Sequence, residues 1–220
     1  MRLRRESLLS SVVLFILTAS VCAQSITEFP LPNARAEPWG IAAGPDGNLW
    51  FTEFRANRIG RITTAGVVSE FVIPTSNIGP LDIAAGPDGA LWFSEHGTGV
   101  GRITITGEIR EFPTGAFNLG DSTVGIALGP DGNMWFVELA GTMDGRKPDG
   151  NRVGRITMKG EVTEFPIPSQ TGSPINIAVG PDRNIWFTKG GIVGRVTMDG
   201  SITEFPLPTP NGGATGLTAA

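Results

Sequence analysis

A block of about 42 residues recurs four times along this 220-residue chain, and a fifth copy begins near its end. A Trp-Phe pair marks each copy, at Trp50-Phe51, Trp92-Phe93, Trp135-Phe136 and Trp186-Phe187. Ahead of each pair stands a turn: Gly44-Pro45-Asp46-Gly47, Gly86-Pro87-Asp88-Gly89, Gly129-Pro130-Asp131-Gly132 and Gly180-Pro181-Asp182-Arg183. Behind each pair a Gly-Arg-[Ile/Val]-Thr run begins, at Gly60, Gly101, Gly154 and Gly194. Units repeating at this period cannot bury their apolar faces alone, so they must stack on one another.

An Asp-Gly between two β-prone runs is a hairpin signal, because glycine accepts the positive φ of a tight turn. In the first copy this predicts strands over 40–43, 49–53, 58–63 and 67–71, with a second glycine turn at Thr64-Ala65-Gly66. Four strands joined by hairpins form one antiparallel blade. The expected fold is therefore an all-β propeller of four-stranded antiparallel blades, with four complete repeats plus the start of a fifth. Both glycine turns fall at one end of every blade. The loops 54–57, 96–99, 139–151 and 190–192 fall at the other end and differ between copies, which marks that end as the binding face. The longest insertion, 141–150, reads as a solvated excursion. The repeated tryptophans and phenylalanines read as packing. Arg61, Arg102, Arg155 and Arg195, one per copy, read as scaffold partners rather than as four active sites.

Residues 1–23 have the pattern of a signal peptide: Arg2, Arg4 and Arg5, an apolar stretch over 8–21, then Val21-Cys22-Ala23 before a mature start at Gln24. The apolar stretch is short for a bilayer span. The bulky Val21 suits lipoprotein processing at Cys22 poorly. The expectation is export, to the periplasm or outside the cell, of one repeat domain over 24–220. Cys22 is the sole cysteine, so that domain has no disulfide, thiolate metal site or cysteine nucleophile. The formal charge goes from −4 to −6 when the leader is removed, which argues against nucleic acid and anionic membranes as partners.

Glu28-Phe29-Pro30, the Pro-Asp-Gly turn, Leu49-Trp50-Phe51-Thr52-Glu53, the run from Asn57 to Thr63, and Glu70-Phe71 together resemble the virginiamycin B lyase (streptogramin lyase) family over residues 26–217. The resemblance implies a seven-bladed ring that opens the ester of a cyclic depsipeptide antibiotic, a streptogramin B, by magnesium-assisted elimination. It implies a base taking the α-proton of the threonyl residue while Mg²⁺ polarises the carbonyl that accepts the negative charge. The family's active blade carries Glu-Pro-His-Gly ahead of its first strand and Trp-Phe-Thr-Glu at the end of its second. Here Glu37-Pro38-Trp39-Gly40 and Trp50-Phe51-Thr52-Glu53 match that pattern best. Glu37 and Glu53 are thereby the expected metal ligands, oxygen donors suited to a hard cation. Trp39, Glu95, His96 and Glu138 are the expected ligand-binding face.

The chain departs from the family at one point: Trp39 stands in the slot of the proton-accepting His, and an indole N–H only donates. The same slot holds Leu81, Val124, Ile175 and Thr215 in the other copies, so the catalytic base is unassigned. His96, the only histidine, matches neither that slot nor the family's second, substrate-contacting His, which would fall one repeat upstream of Trp39, and is the remaining candidate for proton transfer. A seven-bladed ring needs roughly 290 residues at this blade length. The expectation is an incomplete ring, monomeric where complete. Three functions stay open: a lyase with little or no ring-opening by these residues, a non-catalytic exported propeller that binds a ligand or protein through its variable loops, and a metal-dependent propeller hydrolase. The few histidines and the scarcity of Asp and Asn near the channel disfavour the last.

Overall fold

The computed structural model describes residues 26–97, 99–114, 122–139, 151–169, 172–209 and 213–218. The leader and the insertion 141–150 lie outside them. Four four-stranded sheets make four blades. Blade one is β1 (Pro38–Ala43), β2 (Leu49–Glu53), β3 (Arg58–Ile62) and β4 (Val68–Val72). Blade two is β5 (Pro80–Ala85), β6 (Ala90–Glu95), β7 (Gly99–Thr104) and β8 (Ile109–Pro113). Blade three is β9 (Ser122–Leu128), β10 (Met134–Leu139), β11 (Arg152–Ile156) and β12 (Val162–Pro166). Blade four is β13 (Pro174–Val179), β14 (Ile185–Lys189), β15 (Ile192–Val196) and β16 (Ile202–Pro206). Every pairing is antiparallel between consecutive strands, the all-β blade architecture that the repeat predicts.

One group of four side chains recurs in each blade. The indole Nε1 donates to the carboxylate of the turn aspartate four residues earlier: Trp50 to Asp46 at 2.9 Å, Trp92 to Asp88 at 3.2 Å, Trp135 to Asp131 at 3.0 Å and Trp186 to Asp182 at 2.8 Å. The same aspartates pair with Arg61, Arg102, Arg155 and Arg195. These are the scaffold ion pairs expected of the recurring arginines. Each indole also stacks on a phenylalanine of the fourth strand, as Trp50 does on Phe71 at 5.5 Å between centroids and 16° between planes. Burial pushes the Asp88 carboxyl up, but hydrogen bonds from Arg102 and Trp92, with the Arg102 charge, more than offset it and hold it below the usual range.

The blades depend on one another. Ile83 and Leu91 of blade two are buried, whereas Ile41 and Leu49, their equivalents in blade one, are exposed. Trp50, Ile59, Ile73, Ile83, Leu91 and Phe93 form the core between the first two blades, and comparable clusters join the second to the third and the third to the fourth. Each aromatic buries roughly 200 Å², on the order of 5 kcal/mol at about 25 cal/mol per Å² before ordering costs. Glycine is required beneath the second-strand Phe: a Cβ on Gly101 would fall inside the Phe93 ring. Asp88→Ala, which removes the acceptor for both Trp92 and Arg102, should lower the unfolding free energy by about 1–3 kcal/mol in a urea titration.

Candidate functional site

The first strand of each blade carries a bulge that positions the slot residue. In blade one Pro38 pairs with Glu53 and Ile41 with Phe51, so Trp39 and Gly40 together face Thr52. The same shift occurs at Pro80/Ile83, between Phe136 and Glu138, and at Pro174/Asn176. Bulges re-aim side chains. The Thr52 hydroxyl settles the local backbone, accepting from Gly40 N at 2.8 Å and donating to Leu81 O of the next blade at 2.6 Å. Ser94 repeats this between Asp82 N and Val124 O. Asp82 then accepts from Ile126 N of blade three at 3.1 Å.

These bulges line a cavity of ≈ 290 Å³ bounded by Trp39, Gly40, Asp82, Val124, Gly125, Ile175, Asn176 and Thr215. Trp39, Val124, Ile175 and Thr215 are equivalents, so the slot seen in sequence is a real place, where the first strands converge. Trp39 is 63% exposed there.

Glu37 and Glu53 come to the same end of blade one through the Pro38–Glu53 pairing, as the hairpin predicts. Their environments differ. Glu37 holds a left-handed backbone (φ 51°), and its carboxylate pairs with Arg55 at a largely open position. Strain of that kind concentrates at functional sites. Glu53 is 0% exposed, and neither carboxylate oxygen has a hydrogen-bond partner among the described residues. Burial, reinforced by the charge of Glu70 and partly countered by Arg58, raises its pKa to about 7. Two oxygen donors have the right chemistry for Mg²⁺, and unsatisfied oxygens on Glu53 fit a cation; Glu37 fits once it releases Arg55.

The other positions of that slot are also buried. Glu95 and Glu138 are each 1% exposed, whereas Trp39 and His96 are exposed. In blade four the slot holds Lys189, whose Nζ donates to the carbonyl and hydroxyl of Ser169 and lies 3.9 Å from Glu204. Burial lowers its pKa, partly offset by the Glu204 charge. Among the described residues no three His, Cys, Asp or Glu side chains group as a ready metal cage.

His96 occupies the position in blade two that Phe54 occupies in blade one, directly after the slot glutamate. The two rings meet edge to face at 5.9 Å and 81°, and Trp39 also lies 5.9 Å from Phe54, tilted at 50°. The sequence placed Trp39 and His96 on one face; Phe54 joins them. Arg35 and Arg55, which the sequence reading did not single out, sit beside this ring series in a separate cavity. For Arg55 the sequence signal was that 54–57 is one of the variable loops; Arg35 had none.

Four bulged, four-stranded blades whose first strands converge define a β-propeller. Residues 20–151 and 146–220 match the model of the Virginiamycin B lyase family, and the chain belongs to that family. It is similar to a structure of a catalytically inactive histidine-to-alanine virginiamycin B lyase from Staphylococcus aureus with quinupristin: 39% identity, TM-score 0.79, covering 88% of this chain and 63% of that one. A selenomethionine-substituted virginiamycin B lyase from the same organism is 41% identical at TM-score 0.77, covering 85% and 61%. Virginiamycin B lyase from Bacillus licheniformis is 42% identical over 41 residues, 19% of this chain and 14% of that protein. The chain spans less than two thirds of the length of these relatives. A gluconolactonase from Xanthomonas campestris, at 18% identity and TM-score 0.58, shares the fold alone.

Protonation of Glu53 makes a testable pH signature. A carboxyl raised from 4.5 to about 7 on folding takes up a proton that the unfolded chain releases, so its effect is to lower stability as pH rises through that window. Glu53→Gln should therefore melt higher than the parent at pH 8, by on the order of 2–3 kcal/mol in unfolding free energy, with the gap closing near pH 4.5.

Proposed function

We propose that this chain retains the recognition part of its family's function. It binds a cyclic depsipeptide of the streptogramin B type at the loop face, and these residues alone open the ring little or not at all. The observation that carries this reading is Trp39, an exposed indole in the axial slot where the family resemblance calls for a proton acceptor. An indole offers area and one donor to a bound ring but takes no proton. A histidine-to-alanine relative, inactive and yet crystallised with quinupristin, supports separating recognition from turnover.

Mg²⁺ belongs to the proposal, held by Glu37 and Glu53. When bound it would supply polarisation of the substrate carbonyl that takes up negative charge. The residues themselves would orient the ligand against Trp39, and Glu53 would hold a proton near neutral pH only while no cation is bound. Export on the leader 1–23 is also proposed. No helix among the described residues is long and apolar enough to cross a membrane.

Quinupristin should quench tryptophan fluorescence saturably, and Trp39→Ala should weaken binding about tenfold, as loss of an aromatic anchor does. Chromatography of the incubated antibiotic with Mg²⁺ should show no new peak. A new peak of unchanged mass, lost in Glu53→Gln, would instead establish elimination by this chain, and a peak heavier by one water would establish hydrolysis. Mg²⁺ at ten times its dissociation constant should raise unfolding free energy by about 1.4 kcal/mol at pH 8, and Glu53→Gln should abolish that gain.

A further inference from the structure

Beside the axial slot, between the loop ends of blades one and two, lies a larger cavity of ≈ 430 Å³. Its size is in the range of sites for small organic ligands. Its backbone is already satisfied from below. Asn57 Oδ1 accepts from Ile78 N at 3.1 Å and Gly79 N at 3.2 Å, its Nδ2 donates to Thr75 O at 2.8 Å, and His96 N donates to Gly79 O.

Two guanidinium groups meet at the rim, beside the amides of Asn57 and Asn77. Phe54 N bonds to Glu37 O and Arg55 N to Ala36 O, which lays segment 54–55 alongside 36–37 and brings Arg35 and Arg55 to one mouth. Arg55 is partnered by Glu37; the Arg35 guanidinium has no carboxylate partner among the described residues. Guanidinium groups donate only, so the complement of this rim is an acceptor carrying negative charge. The chain as a whole carries −4 and Glu37 already neutralises Arg55, so attraction for an anion here comes chiefly from Arg35 and not from the general field.

One wall is aromatic and fixed. The Phe54 ring lies against Gly79, where an added Cβ would come within 2.6 Å of it, and it meets His96 edge to face. Gly79 itself has φ 49°. A ring held by backbone on one side and by imidazole at its edge loses little entropy on receiving a second flat ring.

We propose that this cavity is a binding site for an aromatic carboxylate, its ring on the wall of Phe54 and His96 and its anionic group between Arg35 and Arg55. The site does not rest on the depsipeptide reading, and its test uses no antibiotic. Titrate the full chain with 2-naphthoate by calorimetry, alongside 2-naphthalenemethanol and acetate, and repeat with Arg35→Gln and Phe54→Leu after checking that both melt like the parent. The expected result is one site for naphthoate, binding at least about tenfold tighter than the alcohol or acetate, the equivalent of one charge-assisted hydrogen bond. Arg35→Gln should remove most of the preference for naphthoate over the alcohol, and Phe54→Leu should weaken both naphthyl ligands. Equal affinity for naphthoate and the alcohol, an unchanged preference in Arg35→Gln, or no naphthoate binding up to millimolar concentration would each overturn the proposal. Arg35 is exposed and Phe54 only half-buried, so either variant is compatible with an intact fold.

Discussion

Each blade is organised by an indole that reaches back four residues to the carboxylate of its own turn. That bond does two jobs. It gives a buried N–H its acceptor, and it clamps the hairpin joining the first and second strands. The arginine of the third strand then pairs with the same carboxylate, and the phenylalanine of the fourth stacks on the same ring, so the tryptophan and its turn carboxylate together tie the second, third and fourth strands. The phenylalanine carries the order outward. Phe71 lies on Gly107 in the next blade, Phe112 on Gly160 and Phe165 on Gly200, each a glycine whose positive φ leaves room for the ring.

Because that frame is the same in every copy, function has to arise where the copies differ. The bulge supplies a common mount for the slot residue, and the slot is filled by Trp39, Leu81, Val124, Ile175 and Thr215 in turn. The position after the second strand is similarly shared, and there Phe54, His96, Leu139 and Gly190 diverge. One cavity opens where the slot positions converge, and the other at Phe54 and His96 between blades one and two. Rigidity comes from the repeat, and chemical identity from the departures.

The buried end of the second strand shows how one structural slot takes on different chemistry. Glu53 lies there without a hydrogen-bond partner, Lys189 lies there tied to Ser169, and both have their pKa moved toward the neutral form by desolvation. A carboxylate left unsatisfied in that position is costly to the fold. A cation or a proton relieves the cost, and this is why Glu53 rather than the exposed Glu37 is the more telling half of the expected pair.

From the sequence alone came the blade, its strand order, the two kinds of loop end, the pairing role of Arg61, Arg102, Arg155 and Arg195, and the family. All of these are repeated four times, and repetition separates a structural requirement from chance. The same reading placed Glu37 and Glu53 at one end of a hairpin, because antiparallel register depends only on counting from the Pro45-Asp46-Gly47 turn. What only the tertiary structure decided was the company each side chain keeps. Arg55 claims the Glu37 carboxylate, Glu95 and Glu138 lie buried like Glu53, and Arg35 with Phe54 joins His96 around a cavity. These contacts run between segments far apart in the chain and occur once each, so no periodicity announces them; they follow from how bulged strands and unequal loops pack in three dimensions.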